Sequence, residues 1–167
     1  MKQLMFFGII FLLSACGYKP SVHYTKQMLG KNVYTEVEVS LSDPENAVLT
    51  KDALNRALYR RLKSKVTKKR DSDSHIKIIY KSIQFRPLQY NKQGYVVYYQ
   101  ADIKLDFTFK KADRIEHRSI LGRYGFAVRP SAIISNDLRF KAIEQGSIKA
   151  LDEFISYLGA KGVLGNG

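Results

Sequence analysis

The strictest constraint on the fold is a run of alternating side chains that begins at Gly94 and ends at Phe109. Apolar or aromatic residues occupy every second position, namely Tyr95, Val97, Tyr99, Ala101, Ile103, Leu105, Phe107 and Phe109. Because successive side chains of a β-strand point to opposite faces, the pattern predicts a long central strand with one buried face. Such a strand needs neighbouring strands and a second layer to cover it.

Three further segments have the composition and spacing of strands. They are Val33–Leu41, His75–Phe85 and Ile115–Val128. In the second of them the apolar phase shifts between Ile78 and Ile79, which predicts a β-bulge or a strand covered on both faces. The segment Arg86–Gln93 contains a proline and is predicted to form a loop that ends this strand. Gly122 and Gly125 are predicted to bend the last strand.

Two segments have the three- and four-residue apolar spacing of amphipathic helices. The first is Thr50–Thr67 with Thr50 as its N-cap, and the second is Asn136–Leu158, capped by Ser135 and ended by Gly159. The predicted order is therefore βαβββα. Two helices on one face of a four-stranded mixed sheet would bury both apolar stripes, so the predicted fold is a two-layer α/β sandwich of the α+β class.

The N-terminus has the layout of a bacterial export signal. Lys2 supplies a positive charge, Leu4–Leu13 is an apolar run, and two small residues follow. Ten apolar residues are too few to span a bilayer as a helix, and the absence of a polar face argues against a buried N-terminal helix. Leu13-Ser14-Ala15-Cys16 resembles the lipobox of bacterial lipoproteins. This resemblance implies cleavage before Cys16, a thioether-linked lipid on its sulfur and an acylated amino group.

The predicted lipidation of Cys16 sets the expected domain boundaries and the expected location of the protein. We expect residues 1–15 to be a lipoprotein signal peptide, 16–31 a lipidated tether, 32–159 one α/β domain and 160–167 a flexible tail. Gly17 stands where such lipoproteins commonly carry an aspartate for retention in the inner membrane. We therefore expect an outer-membrane anchor, with the domain in the periplasm. Cys16 is the only cysteine, so packing alone must hold the domain together.

The charge of the chain indicates a polyanionic partner. The formal net charge is +13, and removal of residues 1–15, which carry one lysine and no acidic residue, leaves +12. In a cytoplasmic protein this charge would favour nucleic acid. Export instead favours periplasmic polyanions such as phosphorylated lipids, lipopolysaccharide and cell-wall polymers, and no nucleic-acid partner is expected.

Residues for catalysis are scarce in the sequence. His23, His75 and His117 have no metal-site spacing, so we expect neither a metal nor a cofactor. Asp102 and Asp106 share the outer face of the central strand, and we expect them to form cross-strand charge pairs instead of an acid–base pair. The sequence therefore predicts a protein without enzymatic activity.

The candidate binding residues are cations near the second and fourth strands. They are Arg86, Lys92, Arg123 and Arg129. Guanidinium groups hold phosphates with two hydrogen bonds, and lysine adds a point charge. Leu88 and Tyr90 lie between two of these cations and are candidates for contact with an acyl chain or a partner protein. The alternative, which the sequence leaves open, is that this segment folds back onto the core.

Four stretches of the chain together form a distinctive pattern: Cys16-Gly17-Tyr18, the strand VYTEVEVSL, the helix TKDALNRALYRRLKSKV and the final ALDEFISYL. In this order they resemble the LptE family of lipopolysaccharide-assembly lipoproteins. The resemblance implies a four-stranded sheet with two helices that plugs the outer-membrane barrel LptD, assists its assembly and binds lipopolysaccharide. The family's loop between the second and third strands is implicated in such contacts, and Arg86–Gln93 is the matching stretch.

Other periplasmic roles remain as alternatives. A lipoprotein that activates a cell-wall synthase must reach across the peptidoglycan, which usually takes a long disordered linker. Only roughly fifteen residues separate Cys16 from the first strand, and at no more than about 3.6 Å per residue they are too short to cross far. A pilot protein for secretin assembly is the second alternative, and a periplasmic hydrolase is the last. The expected mechanism is that cations of the anchored domain compete with divalent ions for lipid A phosphates.

Overall fold

The computed structural model describes residues 28–39, 48, 50–56, 65–129 and 133–164. Its elements are β1 (Asn32–Val39), α1 (residues 50–56), β2 (Lys65–Val66), β3 (Ser74–Tyr90), β4 (Val96–Lys111), β5 (Arg114–Ala127) and α2 (Asn136–Leu164). The strands form one sheet in the order β2-β1-β3-β4-β5. β1 is parallel to β2 and β3, whereas β4 is antiparallel to both of its neighbours.

The predicted fold class is confirmed, because four long strands and two helices follow one another in the order βαβββα. The end of the first helix was predicted wrongly. Within the predicted segment Thr50–Thr67, residues 50–56 form α1 and Lys65–Val66 forms the short strand β2. Residues 57–64 lie outside the described part of the chain. The Thr67 N–H donates to the Val33 carbonyl at 3.0 Å, which extends the pairing of β2 with β1. β-branched residues at this point favour the extended backbone over a helix.

β3 is longer than predicted and continues through Pro87 to Tyr90, so Arg86–Gln93 is not a separate loop. The pairing of β3 with β1 ends at Tyr80, and beyond it β3 pairs with β4 alone among the described strands. An edge strand tolerates proline, because a missing N–H on the open side removes no ladder hydrogen bond.

The apolar phase shift along β3 corresponds to a break in register. This break lies between Tyr80 and Ser82, two residues beyond the predicted position. Two further breaks follow between Pro87 and Tyr90. Each break increases local twist and turns the following side chains to new directions.

The core lies between the sheet and the helices. Buried residues of β4 and α2 meet there, and the rings of Phe107 and Phe154 stack with centroids 4.5 Å apart. Leu54 of α1 belongs to the same core, and the guanidinium of Arg56 lies 4.9 Å from the Phe140 ring centroid of α2. The two helices therefore share one face of the sheet.

Gly122 lets α2 approach the sheet closely. A Cβ at Gly122 would overlap the backbone carbonyl of Gly146 in α2, and a Cβ at Gly146 would overlap the Ile103 side chain. The pairing of β5 with β4 continues without a shift through Gly122 and Gly125. Gly122 thus serves helix packing, and Gly125 makes room for the Tyr98 ring on the opposite face.

α2 begins as predicted and ends later. The Ser135 hydroxyl accepts a hydrogen bond from the Leu138 N–H at 3.3 Å, which confirms the N-cap. The helix does not end at Gly159 but continues to Leu164, so residues 160–164, predicted to lie in the flexible tail, are helical. A glycine inside a helix costs only about 1 kcal/mol relative to alanine. Gly159 and the preceding Leu158 are both buried, so the helix continues through a covered turn.

The packed domain begins before the first strand. Met28 and Leu29 were predicted to lie in the tether, but they are helical and buried in the core. The Asp73 carboxylate accepts hydrogen bonds from the Lys31 and Asn32 N–H groups, each at 2.8 Å. The predicted signal peptide and the Cys16 lipidation site lie outside the described residues, and they stay predictions.

Candidate functional site

The candidate site lies on the sheet face opposite α2, which we call the outer face. The odd-numbered residues of β4 from Ala101 to Phe109 belong to the core, so the even-numbered residues face the other way. Cross-strand pairing places the following residues on that face: Glu36, Glu38, His75, Lys77, Gln84, Arg86, Gln100, Asp102, Lys104, Asp106, Thr108, His117, Ser119 and Arg123.

Near β1 the basic side chains His75 and Lys77 of the outer face each lie beside a carboxylate. His75 lies 3.3 Å from a carboxylate oxygen of Glu36, and Lys77 donates to Glu38 at 2.6 Å. The hydrogen bond to Glu38 raises the pKa of Lys77, because it stabilises the charged ammonium. This part of the face has no surplus positive charge.

Asp106 marks the middle of the face. Its carboxylate accepts a hydrogen bond from the Ser119 hydroxyl, and Lys81 lies 3.3 Å away. The predicted charge pairing of Asp106 across strands is thus confirmed.

Toward the β3–β4 turn, side chains from three strands surround the carboxylate of Asp102. Its carboxylate oxygens lie 2.6 Å from Arg86 Nη2 on β3 and 3.9 Å from Arg123 Nε on β5. Gln100 Nε2 on β4 donates to the same carboxylate at 2.7 Å. The Asp102 side chain is only 9% exposed, whereas those of Arg86 and Arg123 are 53% and 60% exposed. We call Arg86, Gln100, Asp102 and Arg123 the Asp102 cluster.

The Asp102 cluster has a surplus of positive charge. Two guanidinium groups share one carboxylate, and the exposed Lys104 follows on the same face. Each guanidinium has five N–H donors, and one carboxylate satisfies few of them. Among the described residues nothing else engages the remaining donors of Arg86 and Arg123, and these donors can meet an external anion.

The hairpin tip, residues 88–95, comprises the end of β3 and the turn that leads into β4. The Asn91 side-chain oxygen accepts hydrogen bonds from the Gln93 and Tyr95 N–H groups at 3.0 and 2.9 Å. Gly94 has a φ of 80°, which other residues adopt at a cost. Lys92 lies exposed in this turn. It lies beyond the end of β3, whereas Arg86 lies within that strand, so the two cations occupy different parts of the hairpin.

The sequence left open whether the hairpin segment folds back onto the core. Leu88 and Tyr90 are 49% and 60% exposed, so they do not pack into the core. Tyr95 was predicted to share the buried face of β4, but it is half exposed because it lies beyond the core. The three side chains give the hairpin tip an exposed apolar and aromatic surface. For Tyr95 the adjacent turn residue Gly94 was the available signal.

Arg129 lies two residues after the end of β5, at the end of the sheet that carries the β3–β4 hairpin. The Val128 N–H donates to the Val97 carbonyl at 3.0 Å, which holds this end of the chain beside the base of the hairpin. Arg129 is exposed. The structure therefore brings Arg86 and Arg123 together at Asp102, and it leaves Lys92 and Arg129 at separate places toward the hairpin end.

The described ranges contain neither a group of metal-binding residues nor a membrane-spanning helix. Within them, no three residues of the types His, Cys, Asp or Glu form a group that could hold a metal ion. His117 instead shares a 3.0 Å hydrogen bond with the Thr108 hydroxyl. Among the same residues, no helix is both long and apolar enough to cross a membrane.

The fold and the site define a class of protein, an α+β domain with one face covered by helices and one exposed face that carries a local surplus of cations at the Asp102 cluster. The model of the LptE lipopolysaccharide-assembly family matches residues 34–158. The chain therefore belongs to the LptE family, and at family level it is a lipopolysaccharide-assembly lipoprotein. No curated protein matches it in sequence.

Solved lipoprotein structures are similar to this chain. Rare lipoprotein B from Shewanella oneidensis is 16% identical with a TM-score of 0.48, over 80% of this chain and 99% of the other. A putative lipoprotein from Caulobacter crescentus is 10% identical with a TM-score of 0.48, over 86% and 97%. Lipoprotein B from Nitrosomonas europaea is 14% identical with a TM-score of 0.41, over 78% and 83%. The family assignment rests on the family model and not on these structures.

Proposed function

We propose that this protein is an outer-membrane lipoprotein that binds the phosphates of lipopolysaccharide and acts, without catalysis, beside an LptD-like barrel. Cys16 carries the lipid anchor, and several acyl chains hold it stably where one would not. The domain faces the periplasm or lies within the barrel lumen. Its work is to separate lipopolysaccharide molecules and pass them toward the outer leaflet.

The observation that carries this proposal is the unequal charge along the outer face. Near β1 Lys77 has a carboxylate of its own, whereas Arg86 and Arg123 share a single carboxylate near the hairpin. Phosphate groups are well matched to guanidinium donors. An anionic ligand therefore has its best place at the Asp102 cluster, with Lys92 and Arg129 adding attraction from the hairpin end.

The hairpin tip supports contact with an acyl chain or with the barrel. Leu88, Tyr90 and Tyr95 are all exposed at the end of the molecule where the cations accumulate. Tyrosine suits a boundary between apolar and wet surroundings, because its ring is apolar and its hydroxyl is polar. A lipid with phosphates and acyl chains presents both kinds of surface.

The binding proposal is tested with the full lipoprotein in detergent and fluorescent lipopolysaccharide. The double variant Arg86→Gln with Lys92→Gln should weaken binding about tenfold at low salt, and less at high salt because added ions screen the attraction. The matched control is Lys69→Gln with Arg70→Gln, which removes the same charge from exposed positions before β3. Equal affinities of both variants would remove these cations from the binding site.

The partner is tested by photo-crosslinking in outer membranes. A crosslinker at Tyr90 should capture a β-barrel protein, and one at Arg70 should not. Capture of a cell-wall synthase or a secretin at Tyr90 would instead support one of the two alternative roles.

A further inference from the structure

We propose that Asp102 is a positioning residue, which holds Arg86 and Arg123 together as a two-arginine clamp for one phosphate monoester. The inference rests on the proposed function, since it concerns the same anion site. It assigns to a carboxylate a favourable role in binding an anion.

The first step is the burial of Asp102. Its neighbours on the outer face are largely exposed, yet its own side chain is only 9% exposed. A buried carboxylate is costly unless it is paired and hydrogen-bonded. Arg86 and Gln100 satisfy this need at 2.6 and 2.7 Å, so their positions are coupled to the carboxylate.

The second step is the reach of the two guanidinium groups. Arg86 and Arg123 belong to strands on opposite sides of β4 and pair with Gln100 and Asp102, which are two residues apart, so their Cα atoms are separated by about 12 Å. Both side chains nevertheless turn toward Asp102. Without the carboxylate, their mutual repulsion and their rotamer entropy would separate them.

The third step is the set of donors that Asp102 leaves unused. Arg86 contacts Asp102 through Nη2, and Arg123 lies 3.9 Å away through Nε, a distance longer than a hydrogen bond. More than half of each side chain is exposed, and the unused N–H groups can reach solvent. Two guanidinium groups held beside one carboxylate keep enough donors for the three terminal oxygens of a phosphate monoester.

The charge sets the ligand class. Two arginines and one aspartate leave a surplus of one positive charge, and Lys104 beside them raises it to two. A phosphate monoester carries about −1.5 to −2 at neutral pH. A lipid headgroup and a small soluble phosphate ester share this chemistry.

The experiment exploits two opposite expectations for Asp102→Asn. Removal of a negative charge should by simple attraction strengthen anion binding, whereas loss of a positioning residue should weaken it. The control is Asp106→Asn, which makes the same charge change on the same strand and face. Both variants are made in the full lipoprotein, and their unfolding midpoints verify that they fold.

Binding is measured in two arms. One arm titrates soluble dihexanoyl phosphatidic acid, a lipid phosphate monoester, with dihexanoyl phosphatidylcholine as the blank, and the other titrates glucose 1-phosphate. We expect Asp102→Asn to weaken binding about fivefold in the arm that contains the true ligand, and Asp106→Asn to leave it unchanged or slightly stronger. Asp102→Glu, which retains the carboxylate, should restore part of the loss.

A double-mutant cycle supplies the readout that a purely structural role would not change. Arg123→Gln should weaken binding in the wild-type background and have little effect beside Asp102→Asn. Equal effects of Arg123→Gln in both backgrounds, or stronger binding by Asp102→Asn, would overturn the inference and leave lipopolysaccharide binding intact. Absence of wild-type binding to lipopolysaccharide would instead overturn the proposed function.

Discussion

Residues 74–80 and residues 81–90 belong to the same strand, β3, but they lie in different surroundings. The first part has β1 on one side and β4 on the other, and every second side chain is buried. The second part pairs with β4 alone among the described strands, and its last five side chains are all exposed. A single strand thus serves the core at one end and a binding surface at the other.

The comparison shows that the two parts of β3 differ in whether other elements pack over them, and not in the type of residue that they contain. Ile78 and Leu88 are both aliphatic residues of β3, yet one is fully buried and the other is half exposed. The helices and β1 cover the first, and no described element covers the second. We therefore expect substitutions in the packed part to change stability, and those at the hairpin tip to change binding.

The largest expected effect is the loss of the Phe154 ring. Phe154 is fully buried and stacks on Phe107, so Phe154→Ala should lower the free energy of unfolding by about 3–5 kcal/mol. Tyr90→Ala at the hairpin tip should change it by less than about 0.5 kcal/mol. Urea unfolding of the two variants measures the contrast. A similar loss of stability in both would contradict the contrast between the packed core and the hairpin tip.

Two glycines extend the comparison to the backbone. Gly122→Ala would force a Cβ against the Gly146 carbonyl, which belongs to a helix backbone and cannot move cheaply. We expect a loss of about 2–3 kcal/mol. Gly94→Ala has open space around its Cβ and meets only the strain of a φ of 80°, about 1 kcal/mol. Thermal unfolding should rank Gly122→Ala as the less stable variant, and the reverse order would contradict the close packing of α2.

The packed end of β3 can be tested by the pH dependence of stability, through Asp73, which directly precedes the strand. Hydrogen bonds from the Asn32 and Lys31 N–H groups, together with nearby lysines, hold the pKa of Asp73 below its usual value of 3.8, although desolvation opposes them. A carboxyl whose pKa is lower in the folded state stabilises the fold above its unfolded pKa and loses this effect as pH falls. Asp73→Asn should therefore be less stable than wild type at pH 7.

The difference between wild type and Asp73→Asn should diminish as the pH falls below about 4. Unfolding midpoints between pH 7 and pH 3 provide the measurement, and Asp71→Asn, an exposed neighbour, is the control. A difference that stays constant with pH would show that the hydrogen-bonded carboxylate is not its cause.

The smallest expected change in stability comes from Leu88→Ser with Tyr90→Ser. Both side chains are exposed, so the unfolding free energy should stay within about 0.5 kcal/mol of wild type. Binding of lipopolysaccharide should nevertheless weaken by about threefold, because apolar contacts with an acyl chain are lost. Binding of a phosphate ester without acyl chains should not change, and an equal loss for both ligands would assign these residues to another role.

Much of the fold could be predicted from local patterns. The alternation from Tyr95 to Phe109 identified β4, and the Ser135 cap identified the start of α2. The errors lie where an element meets distant residues. Lys65–Val66 pairs with β1, Pro87 lies in an edge strand, and Gly159 packs against the core, and none of these contacts is visible within a short window of sequence.

The candidate site was predictable in its residue types and not in its arrangement. Arg86 and Arg123 were expected to bind anions as separate cations, and Asp102 was expected only to pair with charges across strands. Their convergence depends on the register of β3, β4 and β5. A shift of one residue in either pairing would place one of the arginines on the other face.

By itself the sequence determined the periodicities, and with them the order of strands and helices, the positive charge and the predicted lipidation at Cys16. These are properties of neighbouring residues or of composition. Only the tertiary structure decided that Asp102 lies between two arginines and that the hairpin tip extends beyond the core. Those facts depend on pairing and coverage between distant segments, because burial and cross-strand contact are set by the whole sheet and the helices packed on it.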